Sequence, residues 1–376
     1  MMMTERFKLT SFMQNTLKNK AFIFLSTIIV LSGCKKVFDL PAEKDYMSTK
    51  LAYTTKNFTP ILGRTTLYRG IFSADNSSFP MTFELLSPRF GDGRPALDLL
   101  KKQPTLVWIS EYTGKETTLA EIEAKRKLEE RPIVEVRSSG EIIVWNTATS
   151  ALLPPRDSII YPQDIRYFDI KVTNSGGTRI IKDLSIIPSR ERPYSPDADI
   201  NPFNGKPNTT RPFGGTLIRN FPTISGMIGE STNQPLTTND ANRGIVHMYI
   251  RKFSGGNGNS LRFKFLNRDS VAIDPAKFNE TKWDQVVHGF NMQRTKEYVQ
   301  YDVAYPIPLA AIPTRFTSGG IDGSGTEARV EFTYSRRGFG GFREVGILSQ
   351  TFKIFEKGDW EIVFHFKRVN PKFQDE

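Results

Sequence analysis

The chain is poor in the residues that nucleophilic and metal chemistry use. Cys34 is its only cysteine, so no disulfide can close within the chain and the fold rests on burial and strand pairing. Histidine is almost as scarce, with His247, His288 and His365 far apart in sequence. No G-x-S-x-G motif occurs, so no serine or cysteine nucleophile has a base assigned to it by pattern. Three scattered histidines also make a poor zinc set. No apolar run reaches the about 20 residues that a membrane-spanning helix needs. Nor is there a block of like charge: the formal net charge of +11 over 376 residues comes from both signs interspersed, as in residues 189–199. That distribution suits a solvated surface beside an anionic membrane and does not suit nucleic-acid binding.

What the chain does have begins near its start. Residues 21–31 form an apolar run broken only by Ser26 and Thr27, preceded by Lys18 and Lys20 and followed by Ser32, Gly33 and Cys34. These are the charged, apolar and small-residue regions of a secretory signal. Leu31-Ser32-Gly33-Cys34 resembles the bacterial lipobox, which implies diacylglycerol on the Cys34 sulfur and cleavage before it. An ordinary signal peptide with an incidental cysteine is the alternative, and the placing of the sole cysteine at the lipidation position argues against it. One acyl chain anchors marginally, at about 0.8 kcal/mol per buried methylene, whereas two or three hold stably. The expected partner is therefore a membrane, reached through a lipid anchor. Removing residues 1–33 leaves 343 residues with a net charge of +8. Met13 offers a second start that gives a signal of conventional length.

Beyond the signal the pattern is mainly β. We divide the chain into a signal peptide (1–33), a tether (34–50), an N-terminal β-sandwich domain (51–187), a Pro-rich connector (188–243) and a C-terminal β-sandwich domain (244–376). The expected fold is two antiparallel sandwiches, immunoglobulin-like or jelly-roll-like, with one short inserted helix. Residues 167–172 alternate apolar and polar, and Asn174-Ser175-Gly176-Gly177 turns them into residues 178–186. Residues 133–137 and 141–146 flank Ser138-Ser139-Gly140, a hairpin signal. Residues 117–131 are rich in helix formers and open with Thr118 and Glu121 at capping-box spacing, which predicts the helix. The connector carries eight prolines and is long enough to pack irregularly on its neighbours. The last third has strand patterns over 245–250, 261–266, 297–305, 328–334, 346–355 and 359–368. A final hairpin is expected at Glu356-Lys357-Gly358-Asp359.

The start after the signal, CKKVFDLPAEKDY, is similar to the opening of starch-utilisation-type surface lipoproteins of the Bacteroidetes. Those proteins often carry acidic residues after the cysteine where this chain has Lys35 and Lys36, so inward or outward orientation stays open. That opening, with RYFDIKVTNSGGTR, EYVQYDVAYPIPL and FKIFEKGDWEIVFHF, resembles a Bacteroidetes lipoprotein family catalogued as domain of unknown function 5007. The resemblance implies an outer-membrane lipoprotein associated with glycan uptake and carries over no site residues.

Candidate contacts come from the residues themselves. Trp283 lies in a polar stretch, 279–284, and is the candidate exposed platform for a sugar face. Arg336, Arg337 and Phe339 belong to SRRGFGGFR, which reads as a glycine-rich hairpin tip whose arginines would donate to hydroxyls or carboxylates. Trp145 and Trp360 fall on apolar strand faces and read as core. Asp197, Asp199 and Asn201 alternate as calcium ligands do but lack the glycine and glutamate of an EF-hand, so an Asx-turn loop is the plainer reading. Calcium is the one cofactor the sequence raises. His247 and His365 read as structural, while His288 could be exposed. The leading expectation is a non-catalytic lipoprotein binding a glycan or a partner of an outer-membrane transporter complex. A glycan hydrolase with a carboxylate pair and an adhesive surface component are the alternatives.

Overall fold

The computed structural model describes residues 45–198, 200–201, 205–206, 220–236 and 246–376. In the first part of the chain the elements are β1 (Ala52–Tyr53), β2 (Asn57–Phe58), β3 (Thr66–Tyr68), β4 (Phe72–Ser73), β5 (Thr82–Phe90), β6 (Lys102–Trp108), α1 (Leu119–Glu123), β7 (Arg126–Pro132), β8 (Val134–Val136), β9 (Ile142–Val144), β10 (Arg166–Asn174) and β11 (Gly177–Ile186). The second part holds β12 (Tyr194–Ser195), β13 (Thr223–Ser225), β14 (Val246–Lys252), β15 (Ser260–Leu266), β16 (Gly289–Arg294), β17 (Tyr298–Val303), β18 (Ala328–Arg337), β19 (Arg343–Ile354) and β20 (Trp360–Phe366). The protein is mainly β with several antiparallel sheets, and α1 is the one α-helix among the described residues.

Strand β10 shows how period 2 becomes a core. Phe168, Ile170 and Val172 are fully buried, and the residues between them are only partly so. Its hairpin with β11 pairs Asn174 with Gly177, as the Asn-Ser-Gly-Gly signal predicts. At Gly176 a Cβ would lie 2.1 Å from the Asp45 carbonyl oxygen, so only glycine lets the incoming chain cross this turn. The sheet β2-β11-β10-β5 shares one core with the smaller sheet β3-β9-β8.

The C-terminal core is larger and aromatic. The five-stranded sheet β14-β20-β15-β17-β16 faces a second sheet built from β18, β19, β12 and β13. Phe332 of β18 meets Phe263, Phe265 and Phe364 of the facing sheet at centroid distances of 5.3, 4.8 and 5.4 Å. All four rings are fully buried, each contributing about 1.5–3 kcal/mol by transfer alone. The Pro-rich stretch adds to this core: Tyr194, Ile200, Met227 and Leu236 are buried in it, and β12 and β13 pair with β19.

Two expectations are corrected. The helix predicted over 117–131 is only five residues long. Thr118 Oγ1 does cap it, accepting from the Glu121 amide at 3.1 Å, but residues from Arg126 onward form β7, paired with β6 from Trp108↔Arg126 to Lys102↔Pro132. The charges explain why either state is open to this stretch. Glu129 pairs with Lys127 and Arg131 at 2.7 and 2.5 Å, so alternate signs two residues apart line one strand face as well as they would decorate a helix. Pairing with β6 then overrides helix propensity. Second, β19 and β20 do not form a hairpin. They lie in opposite sheets, and residues 355–359 carry the chain across the sandwich. Strand β20 is buried along its whole length because it sits between β14 and β15, with Glu361 on the face away from the aromatic core held by Arg251 and Arg262.

Candidate functional site

Trp283, the expected sugar platform, is a core residue. Its ring packs 5.6 Å from Phe332 and 6.3 Å from Phe265, and it is 6 % exposed. The polar residues around it pointed to solvent, but residues 283–285 form a single 3-10 turn that directs the indole inward while Lys282, Asp284 and Gln285 face out. Arg336 is also corrected. It is buried and bound to Glu344 at 2.5 Å and Glu376 at 3.5 Å, because its position on β18 faces inward. Arg337 is the exposed last residue of β18, and Phe339 lies in the turn that follows it. The β18–β19 ladder runs to the pair Arg337↔Arg343, and Phe339 stands 90 % exposed on the tip beside Phe342.

Of the calcium candidates, Asp197 and Asn201 are each engaged within the protein. Asp197 Oδ2 is bonded to Arg64 at 3.0 Å and Arg192 at 3.2 Å, two cations that would repel a third. Asn201 closes a turn, its amide donating to the Lys206 carbonyl and its own carbonyl accepting from Gly205. Asp199 and Cys34 lie outside the described residues. Among the described residues no group of three or more His, Cys, Asp and Glu could hold a metal. His288, for which exposure was one reading of the sequence, is half-buried where residues 109–126 reach the C-terminal part. Its Nε2 donates to the Glu116 carbonyl at 2.8 Å, which leaves Nδ1 to accept the Tyr112 hydroxyl, and its ring stacks on Phe316 at 4.9 Å.

What the structure brings together is the two loops singled out in the sequence. Along one edge β18 pairs with β19; along the other, every second residue turns its amide and carbonyl outward. Residues 279–281 cap part of this edge. Ser335 exchanges two bonds with the Asn279 side-chain amide, at 2.8 and 3.0 Å. The Thr333 amide donates to Thr281 Oγ1 at 2.8 Å, and its carbonyl accepts from the Glu280 amide. Further along, the Arg329 amide donates to the Phe316 carbonyl, and Arg337 is met by Asp375 and Glu376. By the same alternation Glu331 faces this edge, and among the described residues neither its amide nor its carbonyl has a partner.

That gap opens into a groove of about 380 Å³. It is lined by the outward-facing Arg329, Glu331 and Thr333 of β18, by Thr281, Lys282 and Gln285 from the segment that meets the edge at Thr333, and by Arg315, whose neighbour Phe316 meets it at Arg329. Glu280 joins the groove to the hairpin, bonding Ser335 Oγ at 2.8 Å and Arg343 at 2.6 Å. The Ser335 hydrogen bond and the Arg343 charge hold its carboxyl below the ordinary carboxylate range. Glu331 pairs with Arg329 at 2.6 Å. The alternation of 328–334 already placed Arg329, Glu331 and Thr333 on one face, so that part of the lining was readable from sequence as a strand face. Lys282 and Arg315 were not, since only the tertiary fold sets them beside it.

A protein-family model described as Domain of unknown function (DUF5007) matches residues 72–375. No curated protein and no solved structure matches the chain.

Proposed function

Given that this chain belongs to the DUF5007 family, which spans both of its β-rich parts, we propose that it is a non-catalytic binding protein that takes a glycan in the β18 groove. The observation that carries this reading is the open strand edge at Glu331, ringed by polar side chains on a rigid two-sheet frame. A saccharide needs many donors and acceptors within a short span, and the groove offers them. An extended peptide would need a run of free edge groups, and the gap is one residue long.

Non-catalytic action is favoured over glycan hydrolysis by the state of the Glu280 carboxylate. A glycosidase acid must hold its proton near neutrality, whereas Glu280 is shifted the other way. In the fuller reading the protein is tethered through lipid on Cys34 at the outer membrane and presents its glycan to an uptake complex. The test is affinity electrophoresis of the full chain on a polysaccharide panel, with reducing sugar measured alongside. Retention without release of reducing ends is expected. Reproducible release would overturn the non-catalytic reading, and passage through every glycan unretarded would overturn binding.

A further inference from the structure

We propose that the groove selects an anionic saccharide, one bearing carboxylate or sulfate groups, with Lys282 and Arg315 as the residues that read the charge; this rests on the glycan-binding reading above. The groove is lined by three cations, Lys282, Arg315 and Arg329, and two carboxylates, Glu280 and Glu331. Both carboxylates are already neutralised, Glu280 by Arg343 and Glu331 by Arg329. Lys282 and Arg315 are exposed and have no carboxylate partner among the described residues. The segments that carry them meet the β18 edge on either side of Glu331, residue 316 at Arg329 and residues 280–281 at Thr333, so both cations flank the open edge.

The lining contains no aromatic ring. Trp283 is turned into the core, and Phe316, next to Arg315, is stacked on His288. A neutral sugar normally gains much of its affinity by laying a ring face on an aromatic, and this groove cannot supply that contact. Val286 is the one wholly apolar side chain in its lining. Charge-assisted hydrogen bonds, about twice as strong as neutral ones, are the remaining source of affinity. Carboxylate and sulfate present the same chemistry here, an oxyanion with several acceptor atoms. Arg315 is able to meet either with two parallel bonds, and Lys282 acts as a point charge.

The experiment uses the full chain in affinity electrophoresis and calorimetry with polygalacturonate, chondroitin sulfate and neutral dextran, the first two separating carboxylate from sulfate recognition. An acidic polymer is expected to bind, with affinity falling as salt rises. Lys282→Ala and Arg315→Ala should each weaken binding about tenfold, the size of one lost charged hydrogen bond. Arg179→Ala, which removes an exposed cation of the N-terminal sheet, should leave it unchanged. An equal loss from Arg179→Ala would overturn the proposal in favour of diffuse charge. Retention on dextran with both groove variants behaving as wild type would overturn the anionic selectivity while leaving glycan binding standing. Failure to retain any polymer would overturn both. Binding to phosphatidylglycerol vesicles, abolished by the groove variants with no polymer bound, would overturn it by assigning the cations to lipid headgroups.

Discussion

Trp283→Ala separates a core role from a ligand-facing one. The indole is buried against Phe265 and Phe332, and the Trp283 carbonyl accepts the Tyr301 hydroxyl at 2.5 Å, so the residue ties the loop carrying Lys282 and Gln285 to the facing sheet. Truncation to alanine removes the transfer free energy of the indole and leaves a hole between rings that are themselves close-packed. Losses for buried tryptophan run about 3–5 kcal/mol. For a cooperative unit of 150–250 residues each kcal/mol lowers the midpoint by about 2–4 °C, so the expected drop is roughly 6–20 °C. Differential scanning calorimetry of wild type, Trp283→Ala and Trp283→Phe measures it, and the phenylalanine variant should lose clearly less because it refills most of the volume. A loss below about 1 kcal/mol for Trp283→Ala, the range of surface substitutions, would refute the buried placement.

Arg126 links the β6–β7 ribbon to the C-terminal part. Its Nη1 donates to the Tyr305 carbonyl at 2.7 Å, and its guanidinium lies 5.3 Å from the centre of the Trp108 ring. Arg126→Ala should cost about 1.5–3 kcal/mol, the range for a hydrogen bond to a charged group, and speed proteolytic cleavage within 109–126; unchanged cleavage would sink the link. Glu116, in the same joint, is raised by burial but lowered further by its bonds to Lys125 and Thr113, ending at about 2 against an ordinary 4.5. A depressed carboxyl stabilises the fold fully above the unfolded value and loses that contribution as pH falls through about 2. The midpoint difference between wild type and Glu116→Gln should therefore be constant above about pH 5 and shrink toward pH 2; a difference that grows on acidification would contradict it. Cys34→Ser should abolish incorporation of a fatty-acid analogue and release the protein from membranes, and equal labelling of both proteins would remove the anchor assignment.

Much of the strand content was legible from the chain alone. Period-2 alternation in 167–172 and 328–334 and the turns at Asn174–Gly177 and around Gly340 depend only on neighbours within a few residues, and the structure places strands and hairpins there. The same locality set the limit. Residues 124–131 carry a charge pattern that serves a helix or a strand, and the presence of β6 as a partner decided between them. The turn at 356–359 looks alike whether its flanking strands pair or part to opposite sheets, and the crossing was decided by β20 sitting between β14 and β15. A tryptophan among polar neighbours reads as exposed until a 3-10 turn swings it onto Phe332. Local chemistry thus determined the strand faces and the glycine-rich tip from sequence. Which edge stayed open at Glu331, and which two cations came to stand beside it, were decided by long-range packing, because no residue encodes locally what will lie across from it.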